Sequence, residues 1–393
     1  MREMDGEYTC IVCKSELIEE LHTTKKEVFV TGDRKEFDSR GLLMRKVICK
    51  NCGTVQFLQS KSYQDAVYEV YRDYEVMHDK AWIDGSKEHR PRLQVVYEKI
   101  GEKIHLPETG NMIDVGCGGG ESLFWFHQMY PKWNLYGLDI GEQFRKTVTE
   151  REGVKAFFSS IDELKKSNIK FDFVTANNII SLANNVAEIL DTVKICLADD
   201  GIFFVKDADY EIHPWLLYEI ECAAFYTKRQ MRSLLCGFGF DVMNIDSGFE
   251  LKEIGLFCKK SNHIQKWERE AYRVNKYIYD NSIKFLDRAI DIIGEHIENN
   301  TCIGIFGTSI AGVWTSQIIA ETGYEIENKN IFYIEEDRDY LEKKTGVNGF
   351  PIYEIGELTE KAVVFLPFPR YVAENIKRRC ETIYPKLKFV IFD

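Results

Sequence analysis

Four cysteines near the N-terminus have the type and spacing to do chemistry. Cys10 and Cys13 form one C-x-x-C, and Cys49 and Cys52 form a second, with Gly53 directly after it. Two such knuckles bring four thiolates to one tetrahedral ion, the arrangement of an all-cysteine zinc site. Four thiolates leave no open coordination position, so such an ion would be structural. The alternative, two redox pairs, calls for a C-x-x-C that opens a helix after a strand, and no such unit is visible. A second place is FVTANNIISLANN, residues 173–185, a buried strand that ends on Asn177 and Asn178. It holds no carboxylate, histidine, lysine or thiol. Amides orient a substrate without taking a proton, so a base for any reaction there has to come from elsewhere.

The elements that must position these groups follow from the pattern of apolar runs. The runs Val28-Phe29-Val30 and Arg45-Lys46-Val47-Ile48 predict strands of a small ribbon over residues 1–60, too short for a core of its own without the metal. Residues 61–100 read as a helical, tyrosine-rich connector in which Tyr71 and Tyr74 share one face and could line a cleft. Residues 101–262 and 301–393 each show strand, glycine turn and helix, joined by amphipathic helix over 263–300. The fold expected is α/β: a Rossmann-like domain preceded by a zinc ribbon and followed by a second Rossmann-like domain.

Bulk properties narrow the function. The chain has 393 residues, 45% hydrophobic and 29% charged, which is ordinary globular composition and room for several cores. A net charge of −12 disfavours binding to nucleic acid. No apolar run reaches the ~18 residues of a membrane span, and the charged start MREMDGEYTC lacks a secretory core. Eleven scattered cysteines read as reduced thiols, and the expected location is the cytoplasm. The oligomeric state, monomer or homodimer, stays open.

NMIDVGCGGGESLFWF, residues 111–126, places Asp114 on a strand and Gly116, Gly118 and Gly120 in the turn after it. It is neither the dinucleotide fingerprint, since Glu121 stands at the third glycine, nor a P-loop, since it has no lysine. It resembles the first motif of S-adenosylmethionine-dependent methyltransferases. A second strand ends at Asp139-Ile140, where an acid can accept hydrogen bonds from both ribose hydroxyls. A third is followed by Ser160-Ile161-Asp162, placed to cover the adenine, and Asn177 ends the fourth beside the methionine portion. Asn178 then faces the acceptor. In the C-terminal domain Gly307 and Gly312 have P-loop spacing, but Val313 stands where a lysine is required. Gly307 and Ser309 are the candidate nucleotide-binding positions, because a helix N-terminus accepts phosphate without a special side chain. A purely structural role for this domain is the alternative.

Nearly the full length resembles the three-module sugar C-methyltransferases that act on nucleotide-linked keto-deoxysugars. CKNCGTVQF is similar to that family's C-x-x-C-G-L-V-Q-L segment. FVTANNIISLANN is similar to its fourth-strand stretch, in which an asparagine pair precedes V-L-A-H. NGFPI and VFLPFPRYVAENI resemble parts of its last module. The resemblance implies S-adenosylmethionine as methyl donor, structural zinc, and a nucleoside-diphosphate sugar as acceptor. The family's H-E-H-x-x-Y-F-S reads YEIECAAFYTKRQM here, with Glu221 for the glutamate, Cys222 for the second histidine and Phe225 for the tyrosine. Remaining candidates for proton transfer are Tyr74, His213, Tyr218, Glu221 and Tyr226, each with a structural reading beside the catalytic one. The alternatives to a methyltransferase of small molecules are an altered relative that binds and assembles, and an RNA methyltransferase.

Overall fold

A computed structural model describes residues 8–37, 42, 44–72, 80–82, 89–246, 253–268, 270–321, 329–358 and 360–393. The central sheet has seven strands: β1 (Asn111–Val115), β2 (Asn134–Leu138), β3 (Val154–Phe158), β4 (Phe171–Asn177), β5 (Leu197–Ala208), β6 (Phe240–Asp246) and β7 (Glu253–Lys260). Their order is β3-β2-β1-β4-β5-β7-β6, with β7 antiparallel to both neighbours and the others parallel. Alternating side chains bury the sheet on both faces. Ile113, Val174, Phe203 and Leu256 enter one core, while Met112, Phe173, Phe204 and Phe257 enter the other. The order reverses between β1 and β4, which opens a crevice at their carboxyl ends.

A second, wholly parallel sheet holds β8 (Cys302–Phe306), β9 (Asn330–Glu335), β10 (Ile352–Glu354), β11 (Ala362–Leu366) and β12 (Leu387–Ile391) in the order β10-β9-β8-β11-β12. Before it runs one helix of 29 residues, Ala271–Asn299, in which Ile283, Leu286, Ile290, Ile293 and Ile297 are buried at helical spacing. Among the described residues no helix is long and apolar enough to cross a membrane.

The ribbon is less separate than its sequence suggests. Its strands Ile18–Glu20, Lys46–Cys49 and Val55–Phe57 are joined by a fourth, Ala224–Phe225, from the segment after β5. The Gly53 carbonyl accepts hydrogen bonds from Gln230 Nε2 at 2.5 Å and Asn275 Nδ2 at 3.0 Å. Buried Lys46 lays its ammonium over the rings of Phe29, Phe57 and Tyr218, at 4.0 Å from the last. One apolar core therefore runs through the ribbon, the segment 210–225, the long helix and the C-terminal sheet. The connector holds the helix Lys61–Arg72 and a strand pair, Lys80–Trp82 with His89–Pro91. Its last helix, Arg92–Lys103, crosses the boundary expected at residue 100.

Candidate active site

The turn after β1 is shaped by glycine. Gly116, Gly118 and Gly120 have φ of +75°, +47° and +76°, the left-handed region that side chains resist. A Cβ on Gly118 or Gly119 would meet no atom within 4 Å, so open space lies over the turn. Asp139, just past β2, spans it: one carboxylate oxygen accepts the Gly118 N–H and the other the Gly141 N–H, both at 2.8 Å. Beside it Ile140 is 88% exposed. Ser160 caps the helix Ile161–Ser167 by accepting the Glu163 N–H at 3.2 Å, which places Ile161 and Asp162 in that helix's first turn.

Below the turn lies a buried polar network. Asp114 accepts from Thr175 Oγ1 at 2.5 Å and from Asn177 Nδ2 at 3.2 Å, and burial pushes its carboxyl up to about 6. Ser122 and Tyr97 join it: Asn177 Nδ2 also meets Ser122 Oγ at 3.3 Å, and that oxygen lies 2.5 Å from the Tyr97 hydroxyl. The Asn177 amide nitrogen is thus committed, whereas its buried Oδ1 has no partner. An acceptor atom left without a donor at a strand tip is costly unless a ligand supplies one. Nothing in the spacing of Ser122 or Tyr97 marked them in advance.

Asn178 turns the chain with φ +55°. Its N–H donates to the Lys206 carbonyl at 2.7 Å, and its Oδ1 accepts from Lys206 Nζ at 3.2 Å. Lys206 is ion-paired with Glu253 at 2.8 Å, both side chains 1% exposed, and Arg92 pairs with the other Glu253 oxygen. None of these three charges stood out in the sequence.

The candidates for proton transfer separate. Glu221 is buried; one oxygen accepts the Gly32 N–H at 2.8 Å and the other has no partner. Burial, reinforced by the charge of Glu219, raises it to about 8. Burial raises the Tyr71 hydroxyl, and so do the charges of Glu221, Cys222, Glu219 and Asp139. His213 is buried and packed edge-on to Trp215 at 5.3 Å, and Tyr218, in the core shared with the ribbon, takes the Thr24 N–H at 3.0 Å. Tyr226 is buried beside Cys10 and Cys52. Tyr74 falls outside the described residues. The geometry leaves His213, Tyr218 and Tyr226 buried in packed surroundings and leaves Glu221 with one unpartnered carboxylate oxygen.

The four ribbon cysteines converge. Cys10 and Cys52 sulfurs are 3.6 Å apart, Cys13 and Cys49 sulfurs 3.5 Å, and all four lie within 4.8 Å of one another. A tetrahedral zinc with bonds of about 2.3 Å would set its sulfurs about 3.8 Å apart, so the residues fit that ion. Backbone N–H groups of Asn51 and Cys52 approach Cys49 Sγ at 3.4 and 3.5 Å, as charged thiolates favour.

In the C-terminal domain Gly307, with φ +82°, and Ser309 form the turn into the helix Ile310–Glu321. Glu335, at the tip of β9, accepts from Thr308 N at 3.1 Å and Thr308 Oγ1 at 3.0 Å. It spans this turn much as Asp139 spans the first.

Residues 87–245 match the family model of a methyltransferase domain. An uncharacterized protein of Rickettsia prowazekii is 28% identical over 124 residues, 30% of this chain and 50% of that protein. The protein-lysine N-methyltransferase EFM4 of Saccharomyces cerevisiae is 25% identical over 39% of this chain and 76% of its own. The chain thus spans about half the length of the first of these relatives. Among solved structures, the pyocyanin biosynthetic protein PhzM matches with a TM-score of 0.36 and 20% identity, over 42% of this chain and 55% of its own. The sheet order and the glycine turn described above give the part of the chain that matches this methyltransferase-domain model, residues 87–245, a Rossmann-like α/β fold.

Proposed function

We propose that the protein transfers the methyl group of S-adenosylmethionine to a small-molecule acceptor, a sugar carried on a nucleoside diphosphate. The observation that carries the donor half is the unpartnered Asn177 Oδ1 beneath an open glycine turn. The donor's ammonium satisfies that oxygen, Asp139 takes the ribose hydroxyls, and exposed Ile140 receives the adenine face. When bound, the donor supplies an activated methyl group on a sulfonium. The chain supplies alignment, which can account for a large share of the rate. Glu221 serves as proton acceptor: it is neutral below a pH of about 8 and able to take a proton above it.

The acceptor class rests on the resemblance of the asparagine pair and the last module to the sugar C-methyltransferases, and on the turn at Gly307 and Ser309 in a second doubly wound sheet. The four thiolates hold a structural zinc, and the cytoplasm suits the eleven cysteines, all of them free. Calorimetry with S-adenosylhomocysteine tests the donor site, and labelled methyl transfer to a panel of nucleotide-linked keto-deoxysugars tests the acceptor. No binding of S-adenosylhomocysteine would sink the proposal. A second reading, a binding and assembly partner, is favoured by buried Cys222 and Phe225 where the family has its acid–base pair. Donor binding with no transfer to any of the panel would favour it.

A further inference from the structure

Each of the two strand-tip amides has one end spoken for, and the ends differ. Asn177 donates its nitrogen inward to Asp114 and Ser122 and keeps its oxygen. Asn178 gives its oxygen to Lys206. An ammonium has donors and no acceptor, so it can meet only the oxygen end of an amide. The Asn178 nitrogen makes no hydrogen bond among the described residues. Lys206 is itself fixed: it leaves β5 beside Asn177, pairs with Glu253 on β7, and Glu253 is pinned from its other side by Arg92 of the connector. A buried ion cluster contributes little stability compared with apolar packing, yet this one sits at the carboxyl edge of the sheet, where ligands bind.

We infer that Lys206 is a positioning residue that turns the Asn178 amide so that its N–H groups face the acceptor. The acceptor therefore presents an oxygen lone pair next to the atom that is methylated: a carbonyl, an enolate or a hydroxyl. A protonated amine has no lone pair to offer and is refused. Arg92 carries the arrangement out to the connector, so the segment entering the domain and the acceptor amide are held by one chain of charges. This inference rests on the proposed acceptor side, though its central contact can be tested without knowing the acceptor.

The test uses the full-length protein with 15N-labelled asparagine, in wild type, Lys206→Met, Lys206→Arg and Asn178→Asp. Loss of one side-chain amide pair in Asn178→Asp assigns that signal. The expected result is a shift of this pair in Lys206→Met, its retention in Lys206→Arg, and S-adenosylhomocysteine affinity within about twofold of wild type in all four proteins. An amide pair unmoved in Lys206→Met overturns the inference, and so does a tenfold loss of S-adenosylhomocysteine affinity in that variant, which would make Lys206 a support of the sheet. A thymidine diphosphate-linked 4-keto-6-deoxysugar, added as probe, is expected to move the Asn178 pair in wild type and to bind at least tenfold more weakly to Asn178→Asp. Equal binding to both overturns the role toward the acceptor. If the probe binds neither protein, the sugar-nucleotide reading fails, and the amide signals still decide the role of Lys206.

Discussion

Replacing Glu221 with glutamine should raise stability and abolish turnover together. The side chain is 2% exposed, one oxygen is held by the Gly32 N–H, and the other has no partner. Burial, with Glu219 next and Asp33 also nearby, raises the carboxyl from 4.5 to about 8. A folded-state value above the unfolded one means that the native protein holds a proton which the unfolded chain releases. Stability from this group is complete below about 4.5 and is lost as pH rises through about 8. Between pH 6 and pH 9 the loss comes to about 2–3 kcal/mol, the native state holding the proton over most of that range. Glutamine fills the same space and does not titrate. Urea unfolding at the two pH values should therefore show the difference between variant and wild type moving by about 2–3 kcal/mol in favour of glutamine at pH 9. Methyl transfer by the wild type should climb through a pH of about 8, and the variant should lose roughly 100- to 10,000-fold. Stability curves that run parallel from pH 6 to pH 9 would show that Glu221 is not held as the neutral acid. Full activity in the glutamine variant would remove it as proton acceptor.

Three further outcomes follow from the structure. Asp139→Ala removes the carboxylate that spans the glycine turn; with a charged hydrogen bond contributing about 1.5–3 kcal/mol, S-adenosylhomocysteine binding by calorimetry should weaken at least about tenfold. Cys49→Ser should lower the zinc content measured by mass spectrometry from one ion per chain to near zero, and chelation of the wild type should expose the ribbon core to protease; unchanged proteolysis after complete metal removal would contradict the structural role. Gly312→Val sets a side chain where even a Cβ would collide with the Gly307 carbonyl oxygen, so thermal unfolding should begin in the C-terminal domain, several degrees below wild type.

The residues of the proposed donor site were legible as a group because they sit at strand ends, where apolar runs stop abruptly: Asp114, the three glycines, Asp139 and Asn177 are each local signals. The ion cluster beside Asn178 was not. Lys206 lies in the run FFVKDAD, where a lone charge in a strand reads as an interruption, and its partner Glu253 is 47 positions further on. Such a pair exists only once β5 and β7 lie side by side. The ribbon cysteines were visible from spacing alone, but the two-residue strand Ala224–Phe225 has no period to detect. The placement of His213 and Tyr226 was hidden for a related reason. Their residue types suit proton transfer, while the decision between crevice and core is made by the ribbon packing against the segment after β5.

That short strand also sets a timetable for biosynthesis. The cysteine knuckles are complete once Cys52 has emerged from the ribosome. Their sheet, however, lacks its last strand until Phe225 follows, after the first five strands of the central sheet have been made. Domains synthesised first usually fold first. Here the N-terminal module waits for the middle of the chain, with the edge of Val55–Phe57 unpaired in the interval. Expression of this protein should therefore depend on uninterrupted translation through residue 225, more than the size of its ribbon would suggest.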